Sequence, residues 1–197
     1  ILGYETPKDV VNHFQAIQKG QLPKKSGFLC CFPTVHDSTQ TTYPTGHTGL
    51  ISQTAPYNLD GDAKKWMDIK LRREHIDDLL ATLRKYAPNM TDDKIWWDYI
   101  TTPLDIENKF HDMVQGSIKQ GDYHPLQMGF QRPNDECSLS RTPVKNLYIC
   151  GASCHSAGLI TFGPGYNAAN IIAEDCGIKK WWKDPESVAN ARKKGYF

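Results

Sequence analysis

Residues 151–177 read GASCHSAGLITFGPGYNAANIIAEDCG and follow the apolar run VKNLYIC. Four glycines, Gly151, Gly158, Gly163 and Gly165, fall in the first fifteen positions. Glycine costs backbone entropy, so such a cluster marks a close approach of the chain to something. The order is a short strand, a glycine-bearing loop and a helix. The first amides of a helix have no intrahelical acceptor, and the helix dipole turns its positive end toward the loop, so the arrangement suits an anionic or electron-rich ligand. Gly151, Ala152 and Ser153 are small enough to let a ligand reach the strand end, and Leu159, Ile160 and Phe162 offer an apolar wall. A flavin meets both demands, because its pyrophosphate and ribityl chain need amides and the N1/O2 edge of its reduced ring needs a positive dipole. The same spacing also serves a tight strand-to-helix turn with no ligand. No GxGxxG is present, and the residue types alone leave both readings open.

Other chemistry-bearing groups are sparse. The histidines, His13, His36, His47, His75, His111, His124 and His155, show no metal spacing, and no metal site is expected. His155 lies inside the glycine loop, where it would act near a ligand or bond to backbone, and His75 reads as a solvated position on a long helix. Asp60-Gly61-Asp62 lacks the remaining ligands of a calcium loop and reads as a turn or helix cap. The six cysteines form no CxxC pair and read as buried, reduced thiols of an intracellular protein, cytoplasmic or peripherally membrane-associated.

The elements around the loop can be laid out from pattern. Thr6-Pro7 starts a helix whose apolar face is Val10, Val11, Phe14 and Ile17, and Gly20 stops it. SGFLCCFP and HTGLISQTAPY read as two strands of a hairpin across a polar turn with Pro44 and Gly46. Ala63 to Ala87 reads as one helix with an apolar stripe of Trp66, Ile69, Ile76, Leu80 and Leu83. KIWWDYITT reads as a strand with one tryptophan in the core, PLDIENKF as a short helix, 116–133 as irregular, and VKNLYIC as a strand. The last helix begins at Ile160 or Pro164, runs to about Cys176 and closes at Gly177. The basic and aromatic tail, with Trp181-Trp182 among Lys179, Lys180 and Lys183, reads as a contact surface for a partner or the face of a membrane.

Composition bounds the class. The chain has 197 residues, 39% hydrophobic and 23% charged, with net charge +1. That is globular composition without the charge excess of a nucleic-acid binder, and no apolar run has the length of a membrane span. The first residues, ILGYETPKDV, carry no starting methionine or signal pattern, so the expectation is a processed, truncated or separately assembled piece.

NLYICGASCHSAGLITFGPGYNAA resembles the C-terminal flavin-binding signature of the phytoene desaturase family, the carotenoid and retinoid desaturase branch of the amine-oxidase-like flavoproteins. TPLDIENKF, GSIKQGDYHPLQMGFQRP and SRTPVKNLYICGAS resemble successive blocks of that family in its order, as do GFLCCFPTVHD and GHTGLISQTAPY. The resemblance implies an α/β (α+β) fold, the C-terminal part of a two-domain FAD-binding flavoprotein. Residues 1–130 would belong to a substrate-binding domain with a mixed or antiparallel sheet. Residues 131–178 would supply the strand, loop and helix that complete the Rossmann-like FAD domain, and 179–197 would be a tail.

Carried over by position, the resemblance sets Gly151 and Ala152, with Ser153, against the ribityl-phosphate region. Gly158, Leu159 and Ile160 would meet the isoalloxazine ring, and Gly163, Pro164, Gly165, Tyr166 and Asn167 would begin the closing helix. His155 matches the family's histidine and is the candidate catalytic residue. Leu159 and Phe162 stand where the family is smaller, which implies a reshaped substrate pocket. The family's GxGxxG unit is absent from these residues, so the resemblance implies a second polypeptide that carries it. The expected activity is hydride transfer between a C–H of an apolar or small organic substrate and flavin N5. The alternatives are a flavin-dependent isomerase and a non-catalytic structural component of a larger complex.

Overall fold

Thr6 and Pro7 open α1 (Pro7–Gln18), where the Asp9 carboxylate accepts from the backbone N–H groups of Thr6 at 2.7 Å and Glu5 at 3.0 Å. This satisfies donors that the first turn leaves over. The helix does not bury its expected apolar face: Val10, Val11 and Phe14 are exposed, and His13 is the buried contact. The His13 Nε2–H donates to the Thr54 carbonyl at 2.9 Å, and Nδ1 is within hydrogen-bond distance of Ser26 Oγ (2.7 Å) and Tyr4 Oη (2.9 Å).

The computed structural model describes residues 1–43, 45–122, 124–158 and 162–195. Pro44, Leu159 and Ile160 therefore lie outside the described residues. The chain forms two units, Ile1–Gly116 and Ser117–Phe197. Helices and a small sheet together make it a mixed α/β structure.

In the first unit the expected hairpin is present. β1 (Leu29–Cys31) pairs antiparallel with β2 (Leu50–Ser52), with Cys30 opposite Ile51. The expected long helix is two elements. A 3-10 turn, Ala63–Met67, precedes α2 (Ile69–Arg84), because the Asp68 carboxylate accepts from Lys70 N–H at 2.8 Å and restarts the helix as its N-cap. Trp66 is buried, as are Phe28, Leu59 and Leu83, and its indole N–H donates to the carbonyls of Pro56 (3.2 Å) and Tyr57 (3.0 Å). His75 is buried against the Trp66 edge rather than solvated, and burial lowers its pKa. α3 (Pro103–Lys109) is capped by Thr102 and tied to α2 by the Arg72–Asp105 ion pair at 2.9 Å. Asp62 caps the 3-10 turn, so Asp60-Gly61-Asp62 is a turn and cap.

KIWWDYITT is not a strand. After a turn at Asp92–Lys94 the segment is irregular and both tryptophans are exposed. Trp97 stacks on Tyr99 and Trp96 meets Tyr43 edge-on, so aromatic neighbours replace the ladder that strand-prone side chains require.

In the second unit VKNLYIC forms only an isolated bridge, Arg141 with Tyr148. α4 (Gly163–Asp175) ends at Cys176, with Gly177 at φ +64°, and α5 (Glu186–Lys193) follows. Cys154 is the one buried cysteine: Cys31, Cys150 and Cys176 are exposed and Cys30 and Cys137 half-buried, and all six are free. The expectation of buried thiols holds for Cys154 alone. Among the described residues no helix is long and apolar enough to cross a membrane.

Candidate functional site

The N-terminus of α4 and the loop before it enclose an open concavity of about 580 Å³. Cys150, Gly151, Ala152, Ala157, Phe162, Pro164, Gly165, Tyr166 and Ala169 line it. Six of these are residues singled out by the sequence: Gly151, Ala152, Phe162, Pro164, Gly165 and Tyr166. Gly163 stands in the same helical turn without lining the space.

Two glycines open the space. A Cβ at Gly151 or at Gly165 would meet no atom within 4 Å, and Gly151 has φ +105°, a conformation that side chains disfavour. The first intrahelical bond of α4 is Tyr166 N–H to the Phe162 carbonyl at 2.9 Å. The amides of Gly163 and Gly165 precede it, Pro164 has no N–H, and neither a side-chain cap nor an acidic residue serves the first turn. Among the described residues no side chain caps the positive end of α4. Phe162 is 82% exposed at φ +55° and offers an apolar surface beside that end. The donor set and the two open glycines fit the pyrophosphate and ring edge of a flavin.

The loop is held from below and behind. Ala157 is buried at φ +80°, and its N–H donates to the Cys154 carbonyl at 2.7 Å. Cys154 is buried, and burial pushes its thiol pKa up. Gly158 lies against the Lys119 backbone, where a Cβ would come within 2.8 Å of Cα. Arg141 and Tyr148 both bond Asp175, fixing the segment before the loop to the end of α4. The first of these bonds, from Arg141, holds the Asp175 carboxyl below its ordinary range.

Four expected residues take other positions. The Ser153 hydroxyl donates to Gln120 Oε1 at 2.9 Å. His155 is exposed, and its carbonyl accepts from Asn167 Nδ2 at 3.4 Å. Neither of these two, nor Gly158 or Asn167, lines the concavity. Leu159 and Ile160 lie outside the described residues. The tail packs back on α4: Tyr166 donates to Asp184 at 2.6 Å, which raises the phenol pKa, and Trp182 donates to Asn170 at 3.2 Å. Trp181 is 89% exposed. Among the described residues no cluster of His, Cys, Asp and Glu could hold a metal ion.

Sequence reasoning missed Cys150, Ala157 and Ala169 in the lining. It also missed Arg132, which is 3% exposed and donates to the Ala152 carbonyl at 2.7 Å. Cys150 was findable as the residue before Gly151, whereas nothing in the local pattern signals the left-handed Ala157.

The chain is similar over nearly its whole length to part of a known dehydrogenase. It is 40% identical over 199 residues to a limonene dehydrogenase subunit of Castellaniella defragrans, covering 99% of the chain and 35% of that protein. It is 34% identical over 160 residues to pyridine nucleotide-disulfide oxidoreductase domain-containing protein 2 of Rattus norvegicus, covering 80% of the chain and 26% of the relative. The Mus musculus protein of the same name is 31% identical over 158 residues, again 80% of the chain and 26% of the relative. The chain thus spans about a third of the first relative and about a quarter of the others. All three relatives are oxidoreductases by name. No protein-family model matches the chain, and no solved structure matches it.

Proposed function

We propose that this chain forms one wall of the flavin site of an FAD-dependent oxidoreductase of the phytoene desaturase type. The observation that carries the reading is the concavity at the α4 N-terminus, where Gly151 and Gly165 leave space and the helix amides lack a protein acceptor among the described residues. When bound, FAD supplies the two-electron acceptor, taking a hydride from a substrate C–H at N5.

The chain's own residues have three tasks in this reading. Gly151, Ala152 and the amides of Gly163 and Gly165 bind and orient the cofactor, with the α4 dipole favouring its anionic edge. Phe162 and Pro164 exclude water and present apolar surface to the substrate. Asn167, through the His155 carbonyl, steadies the loop. No proton transfer is assigned to His155, whose side chain is exposed and outside the concavity.

Residues 131–178 belong to the flavin-binding part in this account and 1–130 to the substrate part. The dinucleotide-binding half is supplied by polypeptide outside these residues. The limonene dehydrogenase relative is named as one subunit of its enzyme, which supports a further chain in the complex. That relative's name also supports an apolar hydrocarbon as substrate, in keeping with Phe162. The test is an anaerobic titration of the purified native complex with a cyclic monoterpene hydrocarbon. Bleaching of an oxidised flavin spectrum, with stoichiometric reduction of an added acceptor, is expected. A flavin spectrum that converts substrate to an isomer with no acceptor consumed would assign isomerase activity instead, and a colourless complex would overturn the reading.

A further inference from the structure

Arg132 is 3% exposed, and its guanidinium makes hydrogen bonds only to backbone carbonyls among the described residues. Nη2 donates to Lys119 (2.5 Å), Gln120 (3.1 Å) and Ala152 (2.7 Å), Nε donates to Ala152 (3.2 Å), and Nη1 donates to Gln127 (3.2 Å) and Asp122 (3.3 Å). None of the ion pairs among the described residues includes it. A buried cation without a carboxylate is costly, and here carbonyl dipoles alone offset that cost.

Two consequences follow. The planar fork of five N–H donors spans carbonyls of residues 119–127 and of residue 152, which the single ammonium of a lysine cannot do. Because the C=O and N–H of a trans peptide point in opposite directions, holding the Ala152 carbonyl also fixes the direction of the Ser153 N–H. Secondly, a positive charge that no described acid neutralises is hydrogen-bonded to the carbonyl of Ala152, which lines the concavity. Its sign is that of the positive end of α4, whose first residues line the same space.

We propose that Arg132 is a positioning residue of the flavin site, fixing the Ala152–Ser153 peptide while its charge favours the anionic reduced cofactor. The inference rests on the flavin reading above. Its test uses the native flavoprotein with Arg132→Gln and Arg132→Lys, reading the flavin midpoint potential and the FAD dissociation constant, with thermal melting as the fold control. Arg132→Gln is expected to disfavour the reduced form at least tenfold, a fall of about 30 mV for a two-electron couple. Arg132→Lys is expected to keep the potential and weaken FAD binding at least tenfold, because charge stays but the clamp is lost. An unchanged potential in Arg132→Gln overturns the inference. Should that variant not fold, unchanged FAD affinity in Arg132→Lys overturns it. A wild-type protein without flavin overturns the reading beneath it, an outcome visible before any variant is made.

Discussion

Arg141 grips Asp175 with two donors, Nη2 at 2.7 Å and Nε at 2.9 Å, and so joins the segment before the glycine loop to the last turn of α4. Tyr148 adds a third bond to the same carboxylate at 2.9 Å. One acid thus ties the segment before the glycine loop to the end of α4 that lies away from the candidate site.

The pH dependence of that tie has a definite sign. The Asp175 carboxyl is held below its ordinary range, chiefly by the Arg141 hydrogen bonds and then by Tyr148. A depressed carboxylate contributes stability above its unfolded pKa and loses it as pH falls through the folded value. The melting temperature of the wild type should therefore exceed that of Asp175→Asn at neutral pH, and the gap should close as the solution is taken well below about pH 4, the ordinary aspartate range. A gap that is constant with pH would assign the tie no electrostatic part.

Gly116 should not tolerate a side chain. It has φ +69°, and an added Cβ would fall inside contact distance of the Pro103 carbonyl and within 2.6 Å of its Cα at the start of α3. Gly116→Ala is expected to lower the urea unfolding free energy by roughly 2–4 kcal/mol, from left-handed strain plus the clash. Gly165→Ala, in a helix and facing open space, is expected to be neutral or stabilising by about 1 kcal/mol. Equal losses from both variants would contradict the backbone description.

Trp66 should dominate the core of the first unit. Trp66→Ala removes a buried side chain and leaves a cavity, at a cost of about 3–5 kcal/mol. Trp66→Phe keeps much of the volume but strips the donor from the Pro56 and Tyr57 carbonyls, at a cost of about 1–3 kcal/mol. Urea midpoints of the two variants should fall in that order.

How far the sequence speaks can be judged from single residues. Thr6-Pro7 and Pro103 mark helix starts and Gly177 a helix stop by local chemistry, and the structure has α1 and α3 beginning at the first two and α4 stopping just before the third. The hairpin was legible from two apolar runs about a turn. Asp68 carried a readable capping signal inside an apparent long helix, overshadowed by the stripe on either side of it. The exposure of Trp96 and Trp97 was not legible, because strand propensity stands for packing against neighbours that the local pattern does not specify. Val10, Val11 and Phe14 show the same limit: periodicity identified a face, but His13, through its bonds to Ser26 and Thr54, decides which side turns inward. In the candidate site, Gly151, Ala152 and Gly165 stand out by type and spacing before a helix, whereas Ala157 and Ala169 line the same concavity without any such signal. Arg132 was not legible either, since an arginine among irregular residues carries no local sign that several backbone carbonyls converge on it.

Whether the concavity at Gly151 and Gly165 holds FAD is the central question for this chain. The most direct measurement is the FAD released per chain from the native complex, for the wild type and for Gly165→Leu, with circular dichroism and melting as controls. Gly165 faces open space, so leucine should leave the fold intact while filling the place of the cofactor. One FAD per chain is expected in the wild type, and at least a tenfold loss of FAD affinity in the variant at unchanged melting temperature. A wild type that releases no flavin, or a folded Gly165→Leu protein that binds FAD as tightly as the wild type, would contradict it.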